Sequence, residues 1–198
     1  WTANYDLTVS SHTWYVKVYD QAGNIVVGPQ WTFTIDITPP ASPTTPSPSA
    51  GAWVTVKRPT LQWVSTDGYW YDVFIFDTCY AADLTATSWT LTSDLLETGI
   101  DWYYEWHVVV RDQAYNEVIG PTWTFRVDTV HPTTPDTPTP VSGAYVTSKQ
   151  PTLSWVCEGA TSYEVWIDGS KKTTISSTSW AVNYILDQGI RYWYIIAK

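Results

Sequence analysis

The feature that most constrains this chain is an internal repeat of about ninety residues. Residues 51–55 (GAWVT) recur as residues 143–147 (GAYVT), and residues 20–24 (DQAGN) recur as residues 112–116 (DQAYN). Both pairs have the same shift of 92 (143 − 51 = 112 − 20). A module repeated without a unique set of polar residues favours a structural or binding array over an enzyme.

The two ends of the sequence resemble each other, which indicates that both fall inside modules. At a constant shift of 179, Trp1, Asn4, Tyr5, Leu7 and Trp14 match Trp180, Asn183, Tyr184, Leu186 and Trp193. We therefore interpret residues 1–40 as the second half of a module, residues 41–131 as a complete module with a proline-rich linker at its start, and residues 132–198 as a third module without its last strand. Because half a sandwich exposes apolar faces and strand edges, we expect neighbouring sequence or a second copy to complete both ends.

Composition argues against several classes of partner. The 198 residues carry a formal net charge of −9, from 10 Lys plus Arg against 19 Asp plus Glu. No cluster of basic residues offers the positive surface that nucleic acids or anionic membranes require, so neither is expected as a partner. No apolar run reaches the roughly 20 residues that span a bilayer. Cys79 and Cys157 occupy non-equivalent repeat positions, which predicts free thiols.

Apolar residues alternate as they do in β-strands. Trp31, Phe33 and Ile35 alternate with polar residues, and their repeat counterparts keep the same alternation. Proline-rich segments at residues 38–51 and 129–143 read as semi-rigid, polyproline-like linkers that cannot form central strands. About seven short strands per module is the pattern of a Greek-key sandwich. The predicted fold is all-β, with tandem Greek-key β-sandwich modules joined by proline-rich linkers.

The order of motifs resembles that of bacterial fibronectin type III-like and Ig-like repeats of secreted and cell-surface proteins. The motifs are Pro-x-Leu-x-Trp, then Tyr-(Asp/Glu)-Val-x-Ile, then Leu-x-x-Gly-x-x-(Tyr/Trp), then Trp-x-Val-x-Val followed by Asp-x-x-x-Asn, and last Trp-x-Phe-x-Val-Asp, covering nearly the whole chain. The resemblance implies core tryptophans at Trp63 and Trp155. It also implies a tyrosine corner at Leu96, Gly99 and Trp102 or at Leu186, Gly189 and Tyr192, from which the first module departs with Leu7, Ser10 and Thr13. An extracellular or cell-surface location follows from the same resemblance.

No catalytic pattern stands out. His12, His107 and His131 share no repeat position and show no metal-ligand spacing. Glu97, Asp101 and Glu105 could be imagined as paired carboxylates for glycoside hydrolysis, but their clustering beside a turn favours a solvated rim. We therefore expect no enzymatic activity and no cofactor.

Calcium is the most defensible ion. Oxygen-bearing side chains recur once per module near the linkers, as hard cations prefer; they are Asp20, Asn24, Asp36, Asp112, Asn116 and Asp128. The competing interpretation is that these residues only cap turns and strand ends. A melting temperature that is indifferent to a chelator would exclude calcium.

Large rings occupy the strand positions opposite those of the core. Trp70, Phe74 and Phe76 do so in the middle module, and Trp166 is the counterpart of Phe74 in the third. Outward rings mark contact surfaces, either for lateral packing of copies into a fibre or for stacking on surface glycans. Cover by loops or neighbouring modules is a third interpretation.

Recurrence of the rings along the array favours packing, because a sugar site also needs convergent polar groups. The predicted function is a structural segment of a stalk, surface fibre or adhesin backbone, whose partners are copies of itself or neighbouring modules. The alternative is a carbohydrate-binding or spacer module of a secreted polysaccharide-degrading enzyme. Retardation on polysaccharide gels that Trp166→Ala abolishes would favour that alternative, and filaments formed without sugar would favour the structural function.

Overall fold

The computed structural model describes residues 6–198, and all regular secondary structure in them is β-strand. The chain divides into two compact units, residues 1–129 and residues 130–198. The sequence matches at Trp1, Asn4 and Tyr5 lie outside the described residues. Within residues 6–198, no helix has the length and apolar character needed to cross a lipid bilayer.

The first part of the chain forms two short antiparallel pairs, β1 with β4 and β2 with β3. The strands are β1 Ser11–Trp14, β2 Lys17–Tyr19, β3 Ile25–Val27 and β4 Trp31–Thr34. Trp14 lies opposite Trp31, as Trp106 lies opposite Trp123 in the middle module. The first part therefore reproduces the later strands of a module.

The middle module is a sandwich of two sheets. Its strands are β5 Thr44–Ser47, β6 Ala52–Val54, β7 Thr60–Val64, β8 Trp70–Ile75, β9 Thr78–Leu84, β10 Ser88–Thr90, β11 Tyr104–Arg111, β12 Glu117–Ile119 and β13 Trp123–Val127. One sheet has the order β10-β7-β5, and the other has the order β6-β13-β11-β8-β9 with β12 paired to β11. Strands that are distant in sequence thus become neighbours, as in a Greek key.

The third module, in the second unit, repeats this arrangement with fewer strands. Its strands are β14 Asp136–Thr139, β15 Thr152–Val156, β16 Tyr163–Ile167, β17 Ser170–Ile175, β18 Ser179–Ala181 and β19 Trp193–Ala197. They form two sheets, β14-β15-β18 and β17-β16-β19. The all-β sandwich fold expected from the sequence is confirmed.

Alternating residues of facing strands fill the cores. The middle core contains Leu61, Trp63, Tyr71, Val73, Ile75, Trp106, Val108, Val110, Trp123, Phe125 and Val127, and the third module's core contains Leu153, Trp155, Tyr163, Val165 and Ile167. Trp63 and Trp155 are 3% and 4% exposed. In the first part, by contrast, Trp14 and Phe33 are 47% and 42% exposed, because no described strands lie over them.

Three core tryptophans bury the indole N–H without a hydrogen-bond partner: Trp63, Trp106 and Trp155. Burying a tryptophan removes roughly 200 Å² from water, a gain of about 5 kcal/mol at roughly 25 cal/mol per Å². An unsatisfied N–H costs only about 1 to 3 kcal/mol. The apolar volume of the ring, and not its N–H group, therefore explains why tryptophan occupies these positions.

The proline-rich segments do more than join modules. Their later parts form β5 and β14, which pair with β7 and β15 at the edges of their sheets. Each contains a proline, Pro46 or Pro138, which an edge strand tolerates because one side needs no N–H donor. The polyproline-like spacer predicted over the whole of each segment is therefore too long.

Candidate functional site

The outer face of the middle module is the side of the β8 and β11 strands that points away from the core. Phe74 on β8 stacks on His107 of β11, with ring centroids 5.0 Å apart and planes 3° apart. Trp70 stacks on Tyr115 at 4.6 Å and 20°. The rings of Phe74 and Trp70 are only partly exposed, since each lies against a neighbouring ring.

The third module repeats this ring pair. Trp166 stacks on Tyr194 at 5.7 Å and 13°, and the two residues lie directly opposite each other on β16 and β19. Phe74 and His107 have the same register on β8 and β11. Three of the four rings that the sequence singled out, those of Trp70, Phe74 and Trp166, therefore have one face covered by a neighbouring ring. This leaves less ring surface for a sugar than expected.

Beside each ring pair lies a buried carboxylate held by cations. On the middle module, Asp72 pairs with Arg111, which also contacts Asp83 at 3.1 Å and Glu117 at 3.6 Å. On the third module, Glu164 occupies the place of Asp72. Lys171 at 3.1 Å, Lys198 at 2.5 Å and the Trp166 indole N–H at 3.2 Å contact the carboxylate of Glu164.

The cluster around Glu164 predicts a loss of stability in acid. Hydrogen bonds from Lys198, then Lys171 and then Trp166, lower the pKa of Glu164 from 4.5 to about 2. Because the folded pKa lies below the unfolded one, this carboxylate stabilises the fold fully above its ordinary pKa and loses that effect as pH falls toward 2. We expect the third module's melting temperature to fall more steeply below pH 4.5 in the native chain than in Glu164→Gln.

The matched control for this acid series is Glu158→Gln. The backbone N–H and C=O of Glu158 contact Thr133, whereas its side chain forms no ion pair within residues 6–198. Its melting profile should follow that of the native chain. Equal slopes for the native chain and Glu164→Gln would contradict the assignment.

Phe76 differs from the other three predicted contact residues. It follows the end of β8 in the left-handed conformation, with φ of 51°, and it is 43% exposed. Its ring centroid lies 6.0 Å from that of Trp102 and 5.9 Å from that of Tyr104. It lines a shallow depression of about 170 Å³ whose other residues are Asp77, Glu105, His107 and Thr122.

The predicted calcium ligands fall into two hairpin turns and two strand ends. Asp112 accepts hydrogen bonds from the Ala114 and Asn116 backbone N–H at 2.8 and 3.0 Å, and from Asn116 Nδ2 at 2.9 Å. These bonds, the Asn116 side chain first, lower the pKa of Asp112. Asp20 and Asn24 form the same turn in the first part. Each turn thus satisfies its carboxylate without an ion.

The structure brings three of the candidates, Asp36, Asp112 and Asn116, together at the junction before the middle module. Asn116 Nδ2 donates to the backbone oxygen of Asp36 at 3.1 Å, and the Asp36 carboxylate accepts the Thr38 N–H at 3.0 Å. Asp128 lies elsewhere and donates its N–H to Val54 at 2.9 Å. Among residues 6–198, no three His, Cys, Asp or Glu side chains are placed to hold a metal ion. Calcium binding stays a prediction.

Solved structures share this architecture. The fibronectin(III)-like modules of Clostridium thermocellum CbhA match 77% of this chain and 84% of theirs, with 16% identity and a TM-score of 0.54. The fold is fibronectin type III-like. The central fibronectin-III array of RIM-binding protein matches 82% of this chain and 59% of its own, with 13% identity and a TM-score of 0.33. No family model matches the sequence, and no curated protein matches it significantly.

The tyrosine corner of this fibronectin type III-like fold lies at Tyr104, so the assignment to Trp102 was wrong. The Tyr104 hydroxyl accepts from the Leu96 N–H at 2.9 Å and donates to the Leu96 oxygen at 3.3 Å. In the third module, Arg191 takes the same place, two residues before the strand tryptophan, and donates to the Asp187 oxygen at 2.9 Å.

The first part keeps the corner as well, with a third residue type. His12, two residues before Trp14, has Nε2 2.8 Å from the Thr8 oxygen. Tyrosine, arginine and histidine therefore make the same kind of contact between strand and loop. Sequence comparison missed this because the residue type changes while the hydrogen bond stays.

Proposed function

We propose that this chain is a non-catalytic structural segment of an extracellular surface or fibre-forming protein, such as a stalk, filament or adhesin backbone. The fibronectin type III-like modules are its stiff units. One observation carries the proposal: the junction between the first part and the middle module is packed and hydrogen-bonded, so it restricts bending.

Three kinds of contact hold this junction. The Asn116 side chain binds the backbone of Asp36 at 3.1 Å. The Ala41 N–H donates to the Asp67 carboxylate at 2.9 Å, and Pro40 and Pro43 are buried. An added Cβ at Gly120 would lie 2.6 Å from the Pro43 ring, so that glycine permits the close approach of the linker. A free hinge would show none of these contacts.

The junction can be tested by measuring its range of motion. We would place nitroxide labels on the exposed native Cys79 and on a cysteine introduced at Thr32, with Cys157 replaced by serine, and record distance distributions by pulsed electron paramagnetic resonance. We expect a narrow distribution that broadens in Asn116→Ala. A broad distribution in the starting protein would overturn the proposal.

Asn24→Ala is the matched control for this measurement. Asn24 has the same place in the equivalent turn of the first part, where its side chain donates to Asp20 at 2.6 Å. Losing that bond affects one turn and not the junction. The distribution should therefore keep its width in Asn24→Ala.

Self-association of copies through strand edges and outward rings is the second part of the proposal. Outward rings on the middle and third modules support it, because Tyr115 and Tyr194 are 65% and 47% exposed. Covering such rings is favourable by about 25 cal/mol per Å². Sedimentation velocity over a wide concentration range tests this, and a monomer throughout would contradict it.

A further inference from the structure

The depression beside Phe76 combines aromatic surface with polar groups that the fold leaves unused. It lies where the turn after β8, the start of β11 and the segment before β13 meet, and Phe76, Asp77, Glu105, His107 and Thr122 line it. They come from three segments that are distant in sequence. The sheet order places them together, since β11 lies between β8 and β13.

Four of the five side chains that line the depression form no hydrogen bond and no ion pair within the described residues. In residues 6–198, the carboxylates of Asp77 and Glu105, the hydroxyl of Thr122 and the imidazole of His107 make no side-chain hydrogen bond and no ion pair. The carboxylates of Asp72 and Glu97 on the same module are, by contrast, paired. The depression therefore gathers several hydrogen-bonding groups that contribute little to folding, which is typical of a binding site.

The backbone conformation of Phe76 also indicates a binding role for this depression. A left-handed conformation at a large aromatic residue is unfavourable by about 1 to 2 kcal/mol. The third module has Asp168 at the equivalent position with φ of 50°, and that residue type tolerates the conformation better. Asp168 also accepts the Tyr192 N–H at 3.1 Å and pairs with Arg191 at 2.9 Å. The middle module gives up these bonds and gains a half-exposed ring.

We propose that this depression binds one pyranose ring of a neutral polysaccharide. The exposed parts of Phe76 and Trp102 provide apolar surface for the ring face, and Asp77 and Glu105 accept hydrogen bonds from sugar hydroxyls. Partial burial lowers the pKa of His107, an effect that the Asp77 carboxylate opposes in part. The neutral imidazole then offers one donor and one acceptor to further hydroxyls.

The charges and hydrogen-bonding groups of the depression favour a neutral sugar over anions, metal ions and basic peptides. Two carboxylates repel anionic ligands such as phosphates or uronic acids. A metal ion is also disfavoured, because no three His, Cys, Asp or Glu side chains in residues 6–198, those of the depression included, are placed to hold one. A basic peptide would satisfy the carboxylates, but it would leave the acceptor nitrogen of His107 and the hydroxyl of Thr122 without a role. A polyhydroxylated ring uses all four polar groups and the aromatic surface together.

The site belongs to the middle module alone among the described modules. Asp168, Gly169, Tyr192 and Tyr194 replace Phe76, Asp77, Glu105 and His107 in the third module. The sugar-binding residues are therefore different from Trp166, the outward ring of the third module. For one ring in a shallow site we expect weak binding, with a dissociation constant on the order of 1 mM per ring.

Affinity gel electrophoresis tests the proposal with four neutral polysaccharides as probes: hydroxyethyl cellulose, laminarin, dextran and galactomannan. We expect retardation in at least one gel, and a tenfold or greater loss of apparent affinity in Phe76→Asp. This variant should fold, because Asp168 adopts the same backbone conformation in the third module. Glu105→Gln is a second variant and should weaken binding severalfold.

Trp166→Ala is the control and should keep full retardation. Absence of retardation in all four gels, or unchanged retardation of Phe76→Asp and Glu105→Gln, would overturn the proposal. Binding to polylysine that Glu105→Gln removes, without retardation by any polysaccharide, would identify a basic peptide as the ligand and also overturn it. Junction stiffness is a separate property, and the label distances should not change in Phe76→Asp.

Discussion

Replacing Trp106 by alanine should lower the free energy of unfolding of the middle module by about 4 kcal/mol. Trp106 is 0% exposed, and its ring lies 4.7 Å from that of Trp123 and 6.5 Å from that of Trp63. Removal of the indole would leave a large cavity between the two sheets, which surrounding strands can fill only in part. The expected loss is a large share of the stability of a domain of this size.

Urea unfolding followed by circular dichroism measures this loss, with Trp53→Ala as the control. Trp53 lies on β6 of the same module but is 49% exposed, so its truncation should cost only about 2 kcal/mol, roughly half the value for a fully buried tryptophan. Trp106→Phe should also be mild, because it keeps most of the ring and removes the unpaired N–H. Similar losses for Trp106→Ala and Trp53→Ala would show that the core is not organised around Trp106.

Replacing Arg111 by methionine should destabilise the middle module by about 3 kcal/mol at neutral pH. The side chain of Asp72 is only 10% exposed and pairs with Arg111, whose own side chain is 21% exposed. Without the guanidinium, a carboxylate stays buried with the Asp83 N–H, at 2.8 Å, as its remaining donor. The loss should shrink in acid, where the carboxylate takes up a proton.

Arg58→Met makes the same substitution at an exposed ion pair. Arg58 and Asp94 are 2.6 Å apart, but their side chains are 57% and 61% exposed. Water screens such a pair, so its loss should change the unfolding free energy by no more than about 0.5 kcal/mol. Equal effects of the two substitutions would contradict the importance assigned to burial.

Periodicity predicted the central strands well, because their residues alternate strictly between core and surface. Trp123, Phe125 and Val127 are examples, with exposures of 7%, 0% and 0%. The edge strands β5 and β14 escaped prediction, since their prolines and threonines carry no alternation. Their pairing depends on the neighbouring strand and not on their own composition. Contacts with the neighbouring strand, and not local sequence, therefore determine which residues form the edge strands.

The candidate site was harder to predict for a related reason. Comparison of repeats draws attention to what modules share, whereas Phe76 and Glu105 lie where the middle module differs from the third. The sequence named Phe76 as an outward ring and placed Glu105 on a solvated rim, but nothing in it joined the two. One signal was available: Phe76 stands where Asp168 stands in the third module, in a register that both modules share.

The buried indoles without hydrogen-bond partners offer an optical means of following each unit. An excited indole emits at shorter wavelength when no polar neighbour can reorganise around it. Trp155 is such a fluorophore in residues 130–198, and Trp63 and Trp106 are such fluorophores in residues 1–129. The difference between the emission of the native chain and that of Trp155→Phe would therefore isolate the signal of Trp155, and its red shift during denaturation would report on the unit of residues 130–198.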